Sequence, residues 1–151
     1  MSGGPERRLV RKVVGYVMRD QELLVFTHDD VPLEIAGVQV PAGTIEKEEA
    51  PDAAVVREVL EETGLALRVV RSLGTARYDI RPSKPEVHER HFFQLAPVED
   101  DLPERWSAGE EYPSDGGDVQ RWTFRWIPFE QAHVLCAGFG ARLGEIVPDT
   151  Q

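Results

Sequence analysis

The sequence predicts an α/β domain in which a mixed β-sheet is packed by helices, and three observations lead there. Short, β-branched apolar runs recur between residues 9 and 127. A strongly punctuated helix interrupts them at 51–64, and a second helical stretch follows the last of them. Strands and helices are therefore interleaved without strict alternation, which favours a mixed sheet over a doubly wound parallel one. A chain of 151 residues suits one domain and can bury a proper core.

The first eight residues read as a flexible tail, leaving 9–151 as the single domain. LVRKVVGYVM (9–18) is β-branched and partly alternating, RDQE is a turn, and LLVFT (23–27) is a second apolar run, so the pair is expected as a hairpin. Residues 28–37 are loop-like, and VQV (38–40) is a brief strand stopped by Pro41. After the helix, LALRVVRSLGTARYDI (65–80) is strand material broken near Gly74. HERHFFQLA (88–96) is another strand. The stretch 97–118 is polar, acidic and rich in Pro and Gly, and is expected as one long loop. VQRWTFRWI (119–127) alternates as a strand does. PFEQAHVLCAGFGARLGEI suggests a C-terminal helix weakened by Gly138 and Gly140.

The formal net charge of −10 argues against a nucleic-acid polymer as partner, because backbone binding needs a basic face. An acidic protein that acts on phosphates must invert its charge locally, and a bound divalent cation does so directly. No run approaches the roughly 18 apolar residues of a membrane helix, and no apolar h-region follows the charged start. The single cysteine, Cys136, suits a small buried hydrophobe. A cytoplasmic protein is the expectation, as a monomer or homodimer.

The helix carries the unusual chemistry. In PDAAVVREVLEETG, Pro51 is tolerated in the first turn, Asp52 suits the positive end of the helix, and Gly64 can supply the left-handed closing residue. At about 100° per residue, Glu58, Glu61 and Glu62 share an arc roughly 100° wide, and Ala53, Val56, Val59 and Leu60 are expected on the opposite, core-facing side. Like charges at these spacings repel by about 0.2–0.5 kcal/mol per pair. Glutamates near a helix C-terminus also oppose the dipole. A solvated acidic face is the plain alternative. Against it stands the upstream loop VPAGTIEKEEAP, with Gly43 and the carboxylates Glu46, Glu48 and Glu49. A tight loop there can bring backbone carbonyls and a further glutamate to the helix, and an all-oxygen set suits Mg²⁺, less specifically Mn²⁺.

From Gly43 to Leu65 the chain runs Gly, five residues, Glu49, seven residues, Arg57-Glu58-Val59, one residue, Glu61-Glu62, one residue, Gly64-Leu65. This stretch resembles the Nudix box at every specified position. The strand hairpin before it, the strands after it and a late helix following RWIPFE extend the resemblance, as layout only, over about residues 9–147. It implies a Nudix-like α/β/α sandwich with the mixed β-sheet between helices. It also implies a Mg²⁺-dependent hydrolase, with Mn²⁺ as substitute, acting on the phosphoanhydride of a nucleoside diphosphate linked to another moiety by attack of a metal-activated water.

Carried over by position, Glu58, Glu61 and Glu62 would be the principal metal ligands and the Ala42 carbonyl a further one. Many members have Gly where this chain has Ala42, and Ala resists a positive φ. Glu49 would support the site from the loop, on the substrate side, and Arg57 would orient a glutamate. The general base is open between Glu61 and the acidic loop, where Glu110, Glu111 and Asp115 are candidates. Arg77, Arg81, Lys84 and Arg90 could meet substrate phosphate, each against the alternative of an ordinary surface charge. Trp106, Tyr112, Trp122 and Trp126 could stack on a base, with core packing as the alternative for Trp122 and Trp126, which share a strand face. The two histidines of HERH, three apart on a strand, point to opposite faces and do not make a metal pair. A non-catalytic nucleotide-sensing or partner-binding domain of the same fold is the competing function, although such a module has no need of an intact carboxylate set. A Nudix-fold isomerase would need further acid/base residues.

Overall fold

The computed structural model describes residues 8–29, 37–80, 85–110, 120–135 and 139–146. The central strand β1 (Arg8–Arg19) is buried on both faces, with Val13 and Val17 turned one way and Val14, Tyr16 and Met18 the other. A strand covered on both sides needs no polar alternation, which explains why its sequence alternates only in part. β2 (Glu22–His28) returns through Asp20 and Gln21, with Asp20 left-handed at φ 54°, a conformation aspartate tolerates. The two strands pair only at Met18–Leu23 and Arg19–Glu22 and then part.

β3 (Ala42–Thr44) enters the gap and runs antiparallel to Lys12–Val14. On the other side of β1, β5 (Glu86–Pro97) pairs in parallel from Arg8–Glu86 to Val17–Leu95, with β4 (Leu67–Asp79) antiparallel beyond it. β2 carries β7 (Gln120–Pro128) and then β6 (Arg105–Glu110). The described strands thus order as β4-β5-β1-β2-β7-β6, with β3 beside β1. The sheet is mixed, as expected.

Helix α1 (Pro51–Thr63) covers one face, where Ala54, Val55 and Val59 meet Val13, Val17, Phe93 and Phe124. The opposite face is covered by the C-terminal segment: Ala132, Phe139 and Ile146 pack on Val14, Tyr16 and Phe92. The Tyr16 hydroxyl donates to the Phe139 carbonyl and accepts the Arg142 N–H at 3.3 Å, tying that segment down. Burial pushes the Tyr16 phenol up to about 12.

Five expectations need correction. The strand near Pro41 lies after it: Val38 and Gln39 make only isolated bridges, whereas Ala42–Thr44 form the ladder. β4 is one strand, and the break near Gly74 is a pair of register shifts within it. The acidic stretch 97–118 contains β6, whose Trp106 and Ala108 face inward in the strand period. The described C-terminal residues form two short 3₁₀ turns, Phe129–Val134 and Leu143–Glu145, in place of a helix. On α1 the buried side is Ala54, Val55, Val59 and Thr63, while Ala53 is exposed and Leu60 is 47% exposed. Cys136 lies outside the described residues.

Candidate active site

That corrected helix face decides where the carboxylates sit. With Glu58 at zero, the buried residues run from Ala54 at about −40° to Thr63 at about 140°, and Glu62 at about 40° falls inside this arc. The glutamates are therefore not one solvated flank. Glu61 is exposed, at 59%, whereas Glu58 and Glu62 are turned towards the sheet. The helix ends where the sequence indicates. Gly64 takes φ 79° and its N–H reaches the Leu60 carbonyl at 2.8 Å. Thr63 folds its hydroxyl back onto Val59 O at 2.6 Å.

Glu62 meets the outer edge of β3, and Glu58 lies over Gly43. Gly15 N–H bonds Pro41 O, and Ile45 N–H bonds Arg11 O. In this antiparallel register Ala42 and Thr44 turn their backbone groups away from β1. Ala42 N–H points at Glu62 Oε2 (3.3 Å) and Thr44 O accepts from Arg57 Nη2 (3.3 Å). The N–H and C=O of a strand residue lie on the same edge, so the Ala42 carbonyl shares the edge that Glu62 occupies. Ala42 is not among the residues of positive φ, so alanine fits there without strain. The glycine next to it is needed for space: a Cβ on Gly43 would overlap Glu58 Cγ, Cδ and Oε2.

Arg57 ties loop to helix. Its Nε and Nη2 form a two-bond fork on Glu49, at 2.7 and 2.8 Å, while Nη1 donates to Glu58 Oε1 at 2.9 Å and reaches Glu61 at 3.3 Å. A guanidinium fork matches a carboxylate in plane. Glu49 is aimed by its turn, in which Glu46 N–H bonds Glu49 Oε1 at 3.1 Å and Glu49 N–H bonds Glu46 O at 3.0 Å. The Arg57 bonds hold the Glu49 carboxyl down at about 2. By contrast, burial and the nearby Glu58 charge push Glu62 up to about 8, against the Ala42 N–H bond and the Lys12 charge. Burial raises Glu58 as well, although Arg57 opposes it.

Among the described residues, no group of three carboxylate, imidazole or thiol side chains forms a ready metal cage. What the fold supplies is a pair, Glu58 and Glu62, partly withdrawn from water and short of positive charge, beside the Ala42 carbonyl edge. Hard oxygen donors of this kind fit Mg²⁺, which keeps several waters and needs few protein ligands. A cation there would remove both the mutual repulsion and the burial cost.

Across the Ala42–Gly43 backbone lies a cavity of about 140 Å³, lined further by Lys12, Val14, His88, Arg90 and Phe139. Arg90, a candidate from the sequence, is buried with its guanidinium 4.5 Å from the Tyr78 ring centre and 4.4 Å from that of Phe139. Arg77 stands opposite Glu89 on the other sheet face, 3.7 Å from it, and does not line the cavity. His88 and His91 bond Glu86 and Glu89 respectively. Lys12 was not singled out from the sequence, and His88 was weighed there only as part of a metal pair. The available signal was a charged pair, Arg11-Lys12, just before the apolar run VVGYVM of β1.

The tryptophans pack within the fold. Trp106 stacks on Phe124 at 5.3 Å and donates Nε1–H to Thr63 O, Trp126 is buried with Nε1–H on Pro103 O, and Trp122 donates to His28 Nδ1. Arg81, Lys84, Glu111, Tyr112 and Asp115 lie outside the described residues, as does the Glu110 side chain at the end of β6.

Known proteins share the family and the fold of this chain. The NUDIX domain family model matches residues 9–150. An RNA pyrophosphohydrolase of Dinoroseobacter shibae is 38% identical over 76 residues, a match spanning 48% of this chain and 48% of that protein. Among solved structures, the MutT protein of Methanosarcina mazei superposes with a TM-score of 0.64 at 17% identity, covering 94% of this chain and 95% of the other. A NUDIX hydrolase of Nitrosomonas europaea gives a TM-score of 0.64 at 19% identity, covering 91% and 87%. These last two likenesses are of fold. With the family model covering nearly the whole chain and the complete box folded into one corner of the sheet, the protein belongs to the Nudix hydrolase family.

Proposed function

We propose that the chain is a divalent-cation-dependent pyrophosphohydrolase that splits the phosphoanhydride of a nucleoside diphosphate carrying a further substituent. The observation that carries this reading is the Glu58–Glu62 pair: two carboxylates turned inward onto β3, Glu62 at its outer edge and Glu58 over Gly43, both raised by burial. Mg²⁺ bound there would screen the phosphate charge, orient the anhydride and make a water more acidic. Mn²⁺ is the substitute.

The chain's own groups divide the remaining work. Glu58, Glu62 and the Ala42 carbonyl would hold the cation. Arg57 fixes Glu58 through the bond at 2.9 Å and is itself clamped by Glu49. Glu61, the most exposed of the three helix glutamates and 3.3 Å from Arg57, is assigned as acceptor of the attacking water's proton. The water oxygen bonds to phosphorus, the bridging P–O bond breaks, and the bridging oxygen leaves with the other phosphate. Glu110, Glu111 and Asp115 are the alternative acceptors. We place this activity in the cytoplasm, in keeping with a chain whose single cysteine cannot close an internal disulfide. No helix among the described residues is long and apolar enough to cross a membrane.

The test is a panel of nucleoside triphosphates, dinucleoside polyphosphates, nucleotide sugars, ADP-ribose, NADH and 5′-triphosphorylated RNA, assayed with Mg²⁺ and with EDTA. At least one member should turn over with the metal alone. Glu62→Gln should lose cation binding together with turnover, whereas Glu61→Gln should lose turnover but still bind the cation. Folded protein that is inert across the panel would refute the reading.

A further inference from the structure

The cavity behind β3 has a charge opposite to that of the chain. The protein carries −10 overall, yet the cations lining the cavity are Lys12 and Arg90, beside His88, whose burial disfavours its charged form and which bonds Glu86. It is also built. Lys12 Nζ is held on Thr44 Oγ1 at 2.7 Å, one residue from Gly43. Arg90 is clamped between Tyr78 and Phe139, and a guanidinium stacked on its faces keeps its donors in the ring-free plane.

The position matters as much as the charge. Ala42 and Gly43 form one wall of this cavity, and the same two residues meet Glu62 and Glu58 on the other side. An anion in the cavity would therefore stand one backbone thickness from the carboxylate pair. The volume of about 140 Å³ is well under the roughly 300–1,000 Å³ of pockets that enclose drug-sized molecules. It suits a phosphoryl group with a few waters, each needing about 30 Å³, and not a whole nucleoside.

We propose that this cavity is a subsite for a second, non-reacting phosphoryl group, so that the favoured substrates carry a phosphate beyond the two joined by the scissile bond. That favours compounds with a 5′-triphosphate over nucleoside diphosphate sugars whose third group is neutral. The proposal rests on the hydrolase reading above, but part of its test does not.

In EDTA, with no catalysis, inorganic phosphate is titrated into the full chain and followed by amide NMR. The expected result is saturable shifts at Lys12, Gly43, His88 and Phe139, with affinity about tenfold weaker in Lys12→Gln and retained in Lys12→Arg. Arg90→Lys, which keeps charge but loses the stack, should weaken binding as well if its spectrum remains that of a folded protein. With Mg²⁺, Lys12→Gln should lower kcat/KM for a nucleoside triphosphate about tenfold more than for a nucleotide sugar. Unmoved cavity amides, or equal losses on both substrates, would overturn the subsite. Phosphate binding at the cavity without turnover of any substrate would overturn the hydrolase reading and leave the subsite standing.

Discussion

The Glu58 side chain lies against the Cα of Gly43, in the volume that any side chain at position 43 would need. The glycine is required for room and not for a left-handed backbone, because position 43 is not among those of positive φ. Gly43→Ala should therefore push Glu58 out of place, at an overpacking cost of about 1–3 kcal/mol. Turnover should fall roughly a hundredfold, since a misplacement of about 1 Å can cost that much. Parallel melts and steady-state kinetics separate the two effects.

Arg57 joins the loop at Glu49 to the helix at Glu58 through bonds that lysine cannot copy. Arg57→Lys should keep the charge and lose the fork, so kcat should drop about tenfold or more while the chain stays folded. Pairing it with Glu49→Gln in a double-mutant cycle should show losses far short of additive. Additive losses would mean that the two residues act separately.

Glu62 gives the metal-free protein a pH dependence of definite sign. Its carboxyl is raised from 4.5 to about 8 in the folded chain, so the folded state holds a proton that the unfolded state releases. Its contribution to stability is complete below about pH 4.5 and is lost as pH rises towards about 8, at no more than about 1.4 kcal/mol per pH unit. Melts in EDTA between pH 5 and 9 should fall along this window, and Glu62→Gln should flatten the curve. Cation affinity should rise over the same range, because protons and metal compete for one carboxylate.

Trp106 is a packing residue whose indole N–H holds the last helical carbonyl, Thr63 O, at 3.0 Å. Trp106→Phe keeps the ring over Phe124 and removes that bond. It should cost about 0.5–1.5 kcal/mol in denaturant melts and leave Mg²⁺-dependent turnover in place. A loss of turnover with unchanged stability would instead assign Trp106 to the substrate.

What the sequence made legible follows from how each signal arises. The hairpin, α1, β5 and β7 carry strong apolar periods or clear punctuation, and all were readable. β6 was hidden because it is an edge strand with one partner, so only Trp106 and Ala108 needed to be apolar within an acidic stretch. β3 was missed because AGT forms a ladder for backbone reasons, while the more apolar VQV next to it makes only bridges. The box glutamates were visible as a set, but not their directions. With Ala53-Ala54 and Val55-Val56 adjacent, the wheel admits two core faces, and contact with both halves of the sheet selects the one that takes Glu62 inward. The cavity itself could not be read, because Lys12 and Arg90, 78 residues apart in the chain, meet through parallel pairing of β1 with β5.

That parallel pairing sets a timetable. A nascent polypeptide that has emerged as far as residue 80 already owns every glutamate of the box, yet β1 still lacks the neighbour that begins at Glu86. Contacts between distant parts of a chain form slowly, so the box must wait for Arg90 across the sheet. Synthesis interrupted before β5 would release a fragment that carries the whole box but lacks His88 and Arg90, the far wall of the cavity.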